Sequence, residues 1–134
     1  MCDSSKPNEP PRVLVVEDMP ELADLICEIL MLHGFEVAIA PDGLTALDLL
    51  RNTSVQVALV DIDLPDISGF EVAERARALN CLQGARIVFC TGGDIEERRI
   101  KAQQFPGSQL LAKPFAVKGL LTTVADALAS SGHV

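Results

Sequence analysis

Carboxylates, one hydroxyl and one ammonium stand where this chain could do chemistry. Glu17 and Asp18 follow the apolar run Val13–Val16. Asp61 follows Val57–Val60, with Asp63 two residues on. Thr91 follows Ile87–Cys90, and Lys113, ahead of Pro114, follows Gln109–Ala112. Three or four carboxylates in one cleft repel each other until a proton or a cation relieves them. An all-oxygen set open to water suits Mg²⁺ better than zinc or a dedicated calcium cage. Mg²⁺, a lysine and a hydroxyl together can hold the three oxygens of a phosphoryl group. A carboxylate among them can then act as nucleophile and become an acyl phosphate. Singly, each residue has a plainer use. Asp61 could end a loop, Glu17 and Asp18 could be solvated helix-start acids, Thr91 could satisfy its own backbone, and Lys113 could be a surface lysine. Their shared position, each just after a strand, carries the chemical reading.

That reading needs a fold that brings strand ends to one rim. Val13–Val16, Val57–Val60 and Ile87–Cys90 are continuous apolar runs without alternation, which marks central strands covered on both faces. Phe35–Ala40 and Gln109–Ala112 are weaker strand candidates. Helical patterns lie between them. The first starts at Pro20, carries Leu22, Leu25, Ile26, Ile29 and Leu32, and stops at Gly34. Leu44, Leu47 and Leu50 mark a second, and Phe70, Ala73, Ala76 and Leu79 a third. A charged fourth runs over 94–104, and Val117, Leu120, Leu121, Val124 and Leu128 mark a fifth. Strand then helix, five times, predicts an α/β fold: a doubly wound parallel sheet between two helix layers, with function beyond the carboxyl ends of the strands. Residues 1–11 read as a polar, proline-rich leader, 12–129 as the folded domain and 130–134 as a frayed tail.

The chain has 134 residues, enough for one domain with its own core, and its 49% hydrophobic content is that of a folding sequence. A formal charge of −8 repels phosphate backbones and argues against direct nucleic-acid binding. No apolar stretch is long enough to span a bilayer and no secretory signal is visible. Cys2, Cys27, Cys81 and Cys90 form no C-x-x-C pair and have no histidine at zinc spacing, so they read as reduced thiols. The expected location is cytoplasmic. His33 reads as a helix-end residue, Asp66 and Asp94 as turn or cap residues, and Arg98, Arg99 and Lys101 as one exposed helix face. His133 falls in the expected tail. Gly92-Gly93 is not a phosphate-cradling motif.

The motifs V-L-V-V-E-D at 13–18, V-D-I-D-L-P-D-I-S-G at 60–69, T-G at 91–92 and K-P-F at 113–115 resemble the receiver domain of two-component response regulators. The intervals of 43, 30 and 22 residues between Asp18, Asp61, Thr91 and Lys113 fit as well. The resemblance implies a (βα)5 sandwich with a five-stranded parallel sheet of order 2-1-3-4-5. It implies that Asp61 takes a phosphoryl group from a phosphohistidine on a sensor histidine kinase or phosphotransfer protein. It implies Mg²⁺ held by Asp18 and Asp61, by the backbone carbonyl of Asp63, and by Glu17 through a water. Thr91 and Lys113 would contact the phosphoryl group, Pro65 and Gly69 would shape the loop after Asp61, and the Lys113–Pro114 bond would be cis. The face of the fourth helix, last strand and fifth helix would meet an unnamed downstream protein or form a homodimer.

Two positions depart from the common pattern. Leu110 stands where many receivers carry an aromatic ring, so the switch is expected to read out through the loop after Thr91, where Gly92 and Gly93 give backbone freedom. Asp63 and Gly93 stand where the family tunes attack of water on the acyl phosphate. The chain is expected to be a signalling phosphoacceptor that assists its own modification, not an enzyme. With about five residues after the last helix it reads as a stand-alone module, although an excised domain fits equally. Two alternatives are an Mg²⁺-dependent phosphohydrolase, since Asp61-Ile62-Asp63 superficially matches a D-x-D start, and an unphosphorylated scaffold pseudo-receiver.

Overall fold

Five strands and five helices alternate in a computed structural model that describes residues 10–82, 84–93 and 95–131. They are β1 (Arg12–Val16), α1 (Pro20–Leu32), β2 (Glu36–Ala40), α2 (Gly43–Asn52), β3 (Val57–Asp61), α3 (Gly69–Ala78), β4 (Arg86–Thr91), α4 (Ile95–Ala102), β5 (Gln109–Ala112) and α5 (Val117–Ser131). The sheet is parallel throughout and ordered β2-β1-β3-β4-β5, as expected. Cys2, Asp94, His133 and most of the expected leader and tail lie outside the described residues. No described helix is long and apolar enough to cross a membrane.

The continuous apolar runs are explained by burial on both faces. Leu14, Val16, Ala58, Val60 and Phe89 face α2, α3 and α4. Their neighbours Val13, Val15, Val57, Leu59, Val88 and Cys90 face α1 and α5. Successive strand side chains point to opposite faces, so a strand with two covers must be apolar at every position. Each large side chain buried this way contributes about 1.5–3 kcal/mol.

The helices turn by slightly different angles from those expected. In α1 the buried residues are Ala23, Ile26 and Leu30, while Leu25 and Leu32 are exposed. In α2 they are Gly43, Ala46, Leu47 and Leu50, with Leu44 outside. Leu79 lies beyond the end of α3 and is exposed, as is Val117 at the start of α5. Small residues at the true 3.6-residue spacing let these helices approach the sheet, and the leucines at their edges stay wet. Gly34 ends α1 at φ +90°, a left-handed conformation that lets its N–H bond the carbonyl of Met31. His33 caps the same end, its Nδ1 lying 2.9 Å from the Ile29 carbonyl oxygen.

The loop after β3 is fastened at two points. Asp66 accepts hydrogen bonds from the backbone N–H groups of Gly43 and Leu44, both at 2.9 Å, and so caps α2 from 23 residues away. Desolvation pushes its carboxyl up, but these bonds, with further backbone N–H bonds from its own loop, together outweigh it and hold the group below the usual carboxylate range. Gly69 opens α3 against the strand it follows. A Cβ there would lie 2.6 Å from the Asp61 carbonyl oxygen and 2.9 Å from the Ile62 Cα, and backbone atoms cannot yield as a flexible side chain would. Gly69→Ala is therefore expected to lose about 1–3 kcal/mol of stability. A lowered urea midpoint at unchanged slope checks it.

Candidate functional site

Strand register alone assembles the site. Val16 is level with Val60, and Asp61 with Cys90, so Glu17, Asp61 and Thr91 emerge together at the carboxyl end of the sheet. Ala112 is level with Thr91, which places Lys113 one step further along the same rim. Backbone bonds continue the ladder past the strands: Glu17 N–H to Ala40, Ile62 N–H to Cys90 and Lys113 N–H to Thr91. The Lys113–Pro114 peptide is cis, as the resemblance implied.

Lys113 is the hub of the rim. Its ammonium donates to Glu17 Oε1 at 2.8 Å and lies 3.3 Å from Asp61 Oδ2. Asp61 Oδ1 accepts from the Asp63 N–H at 3.2 Å, and Glu17 Oε2 accepts from the Met19 N–H at 3.3 Å. Glu17, Asp61 and Thr91 are all buried, while Asp18 is exposed. Thr91 Oγ1 accepts from the Gly93 N–H at 3.0 Å, which leaves a hydroxyl its capacity to donate as well.

The electrostatics favour added positive charge. Burial pushes the Asp61 carboxyl up, against the opposing pull of Lys113. Burial also pushes Glu17 up, opposed by its hydrogen bond to Lys113 and reinforced by the negative charge of Asp61. For Lys113, burial works against the charged form, but the Glu17 hydrogen bond and the two carboxylates outweigh it and raise its pKa. One ammonium thus serves a group of three carboxylates. One oxygen each from Glu17, Asp18 and Asp61 lies within 4.8 Å of the others, an all-oxygen donor set open on the Asp18 side. Hard oxygen donors at that spacing fit Mg²⁺. The Asp63 carboxylate is not in this group.

Asp63 turns elsewhere. Its Oδ1 pairs with Arg98 Nη2 at 3.0 Å, so Arg98 does not sit on a uniformly exposed face of α4 as expected. Lys101, from the same helix, lies 5.3 Å above the Phe70 ring, while Arg99 is exposed. Charge alternation along a short polar helix gave no hint of which cation turns inward. The available signal was Gly93, which leaves room for one. Leu110 is half-buried and packs with the core cluster that holds Phe70, Phe89 and Phe105. Those rings contact one another, with centroids 4.7–6.1 Å apart. Cys27, Cys81 and Cys90 are free thiols, and burial pushes Cys90 up to about 12, which leaves it inert beside the site.

A charge test follows from the raised pKa of Asp61. A carboxyl raised on folding favours the native state when protonated and opposes it once pH rises through its native pKa. Without divalent ions at pH 7, Asp61→Asn is expected to raise stability by about 1 kcal/mol, and Tm by a few degrees. The gap should close as pH falls toward the ordinary aspartate value, because the native carboxyl then protonates unaided. Saturating Mg²⁺ should raise the Tm of the parent more than that of the variant. Thermal melts at several pH values, with and without Mg²⁺, check all three outcomes.

The sequence profile of the response regulator receiver domain matches residues 13–125. The probable transcriptional regulatory protein TcrX of Mycobacterium tuberculosis is 31% identical over 124 residues, covering 92% of this chain and 52% of that protein. The chain spans about half the length of the curated relatives it matches. A CheY-like receiver domain protein from Methanospirillum hungatei superposes with a TM-score of 0.84 at 29% identity, over 91% of this chain and 96% of that one. The response regulator TrrA of Thermotoga maritima, solved in complex with Mg²⁺ and BeF, superposes with a TM-score of 0.77 at 28% identity, over 88% and 99% of the two chains. With its five-stranded order and its acidic rim, the chain belongs to the response regulator receiver domains of two-component signalling.

Proposed function

We propose that Asp61 is the phosphoacceptor of a switch module and that its modification depends on Mg²⁺. One observation carries this reading: Asp61 has one face in a three-carboxylate group and an oxygen 3.3 Å from the Lys113 ammonium. Asp18 and Asp61 would hold the ion, with the Asp63 carbonyl and, through a water, Glu17. When bound, Mg²⁺ neutralises charge on the phosphoryl oxygens and polarises the phosphorus they surround. An Asp61 oxygen attacks phosphorus while the nitrogen–phosphorus bond of a phosphohistidine breaks. The imidazole leaves with the electron pair and takes its proton from solvent. Lys113 turns from carboxylate to phosphoryl oxygen, and the Thr91 hydroxyl donates to another.

The donor must present its imidazole at this rim. An apolar groove of about 380 Å³ borders Lys113 there, lined by Met19, Leu22, Leu25, Ile26, Phe115 and Val117. It suits an apolar face of a sensor histidine kinase or phosphotransfer protein. Output runs through the 91–93 loop and α4, because Thr91 bonds Gly93 and the acceptor loop is tied to α4 through Asp63. A downstream protein or a second copy would meet the face of α4, β5 and α5. The reading places this exchange in the cytoplasm.

Incubation with acetyl phosphate and Mg²⁺, followed by intact mass measurement, is expected to add one phosphoryl group. Asp61→Asn or chelation of the ion should abolish the addition. No addition to the parent chain would favour a scaffold. Turnover of a generic phosphatase substrate that is lost in Asp61→Asn would favour a phosphohydrolase.

A further inference from the structure

Arg98 spans the β3–α3 and β4–α4 loops that flank the site, reaching Asp63 on one and Gly93 on the other. Its guanidinium lies against Gly93: a Cβ at that glycine would come within 3.1 Å of Nη2, 3.2 Å of Cζ and 3.3 Å of Nε. The side chain therefore occupies space that a residue at 93 would otherwise claim. Arg98 Nη2 is fixed by Asp63 Oδ1 at 3.0 Å. The two residues it bridges are those whose backbone N–H groups bond Asp61 Oδ1 and Thr91 Oγ1. Arg98 Nη1 is buried and has no hydrogen-bond partner among the described residues. A buried guanidinium N–H without an acceptor is costly, and an oxygen brought to it would relieve it.

We infer that Arg98 is a positioning residue for the phosphorylated state: its guanidinium walls off the Gly93 side of Asp61 and slows loss of the phosphoryl group to water. The inference rests on the phosphoacceptor reading. In the loss reaction a water oxygen bonds to phosphorus as the bond from phosphorus to the Asp61 oxygen breaks. Inorganic phosphate leaves, the carboxylate is restored and the water proton passes to solvent. With Gly at 93, the arginine planted five residues later supplies the bulk and the charge on that side. Its free Nη1 can donate to a phosphoryl oxygen and hold the wall shut once Asp61 is modified. Excluding water from a reactive intermediate protects it in this way. The Asp63 pair is partly exposed and adds little to stability, so the variants below are expected to fold.

The test phosphorylates the full chain with acetyl phosphate and Mg²⁺, removes the donor, and follows decay by intact mass. Decay is read on the modified fraction. Arg98→Ala is expected to lose the group roughly tenfold faster. Arg98→Lys, which keeps the charge but not the flat donor plane, should fall between. A variant that holds no group yet releases phosphate from the donor faster than the parent is the same result at its limit. Parent-like decay in Arg98→Ala, or a variant that neither holds nor releases phosphate while melting like the parent, overturns the assignment. Absence of modification in the parent itself overturns the phosphoacceptor reading, and this inference with it.

Discussion

Two buried carboxylates, Glu17 and Asp61, share the ammonium of Lys113 at the carboxyl rim of the sheet. The arrangement is unbalanced by design of the fold. Burial raises both acids toward neutrality, yet a third carboxylate, Asp18, stands within reach of the same space. Removing Lys113 would strand two buried carboxylates, whereas neutralising Asp61 leaves the ammonium its bond to Glu17. An apolar rim of similar volume would be the more stable choice. The exposed position of Asp18 keeps one side of the group open to solvent.

The parallel sheet makes that grouping unavoidable. In a parallel ladder all strand ends of one polarity lie on one side, and each crossover helix returns the chain to the far edge. Fixing Val16 beside Val60 and Asp61 beside Cys90 leaves no freedom in where the following residues emerge. The register is in turn held by two dry cores, because a slip of one residue would exchange the contents of both faces. Glycine at 69 completes the device by letting α3 begin in contact with the Asp61 backbone.

Strand positions, and the place of the six candidate residues just beyond strand ends, were legible because they depend on short-range pattern, while the sheet order came with the family resemblance. Doubly covered strands write themselves as unbroken apolar runs, and the residue after each run is at the rim by construction. What stayed hidden depends on shape. Leu25, Leu44 and Leu79 look like core residues, but Ala23, Ala46 and Ala76 are the buried positions beside them and spacing alone does not say which wins. Asp66 reads as a turn residue because nothing nearby in sequence announces the α2 N-terminus it caps. Arg98 reads as surface because its partners, Asp63 and Gly93, come from two different loops.

The absence of an aromatic side chain at 110 gains its meaning from these contacts. Leu110 is beside Phe89 in the ladder and packs where Phe70, Phe89 and Phe105 already fill the space under α3 and α4. A ring swinging inward there would have to displace packed aromatics, and dense cores resist such movement. The polar route is softer. Thr91 to Gly93 is one hydrogen bond, Gly93 to Arg98 is a van der Waals contact, and Arg98 to Asp63 is a half-exposed ion pair. Each link breaks at small cost, and the chain of links closes on the N–H that holds Asp61. In the proposed switch, a shift of Thr91 would reach α4 along these contacts without repacking the core.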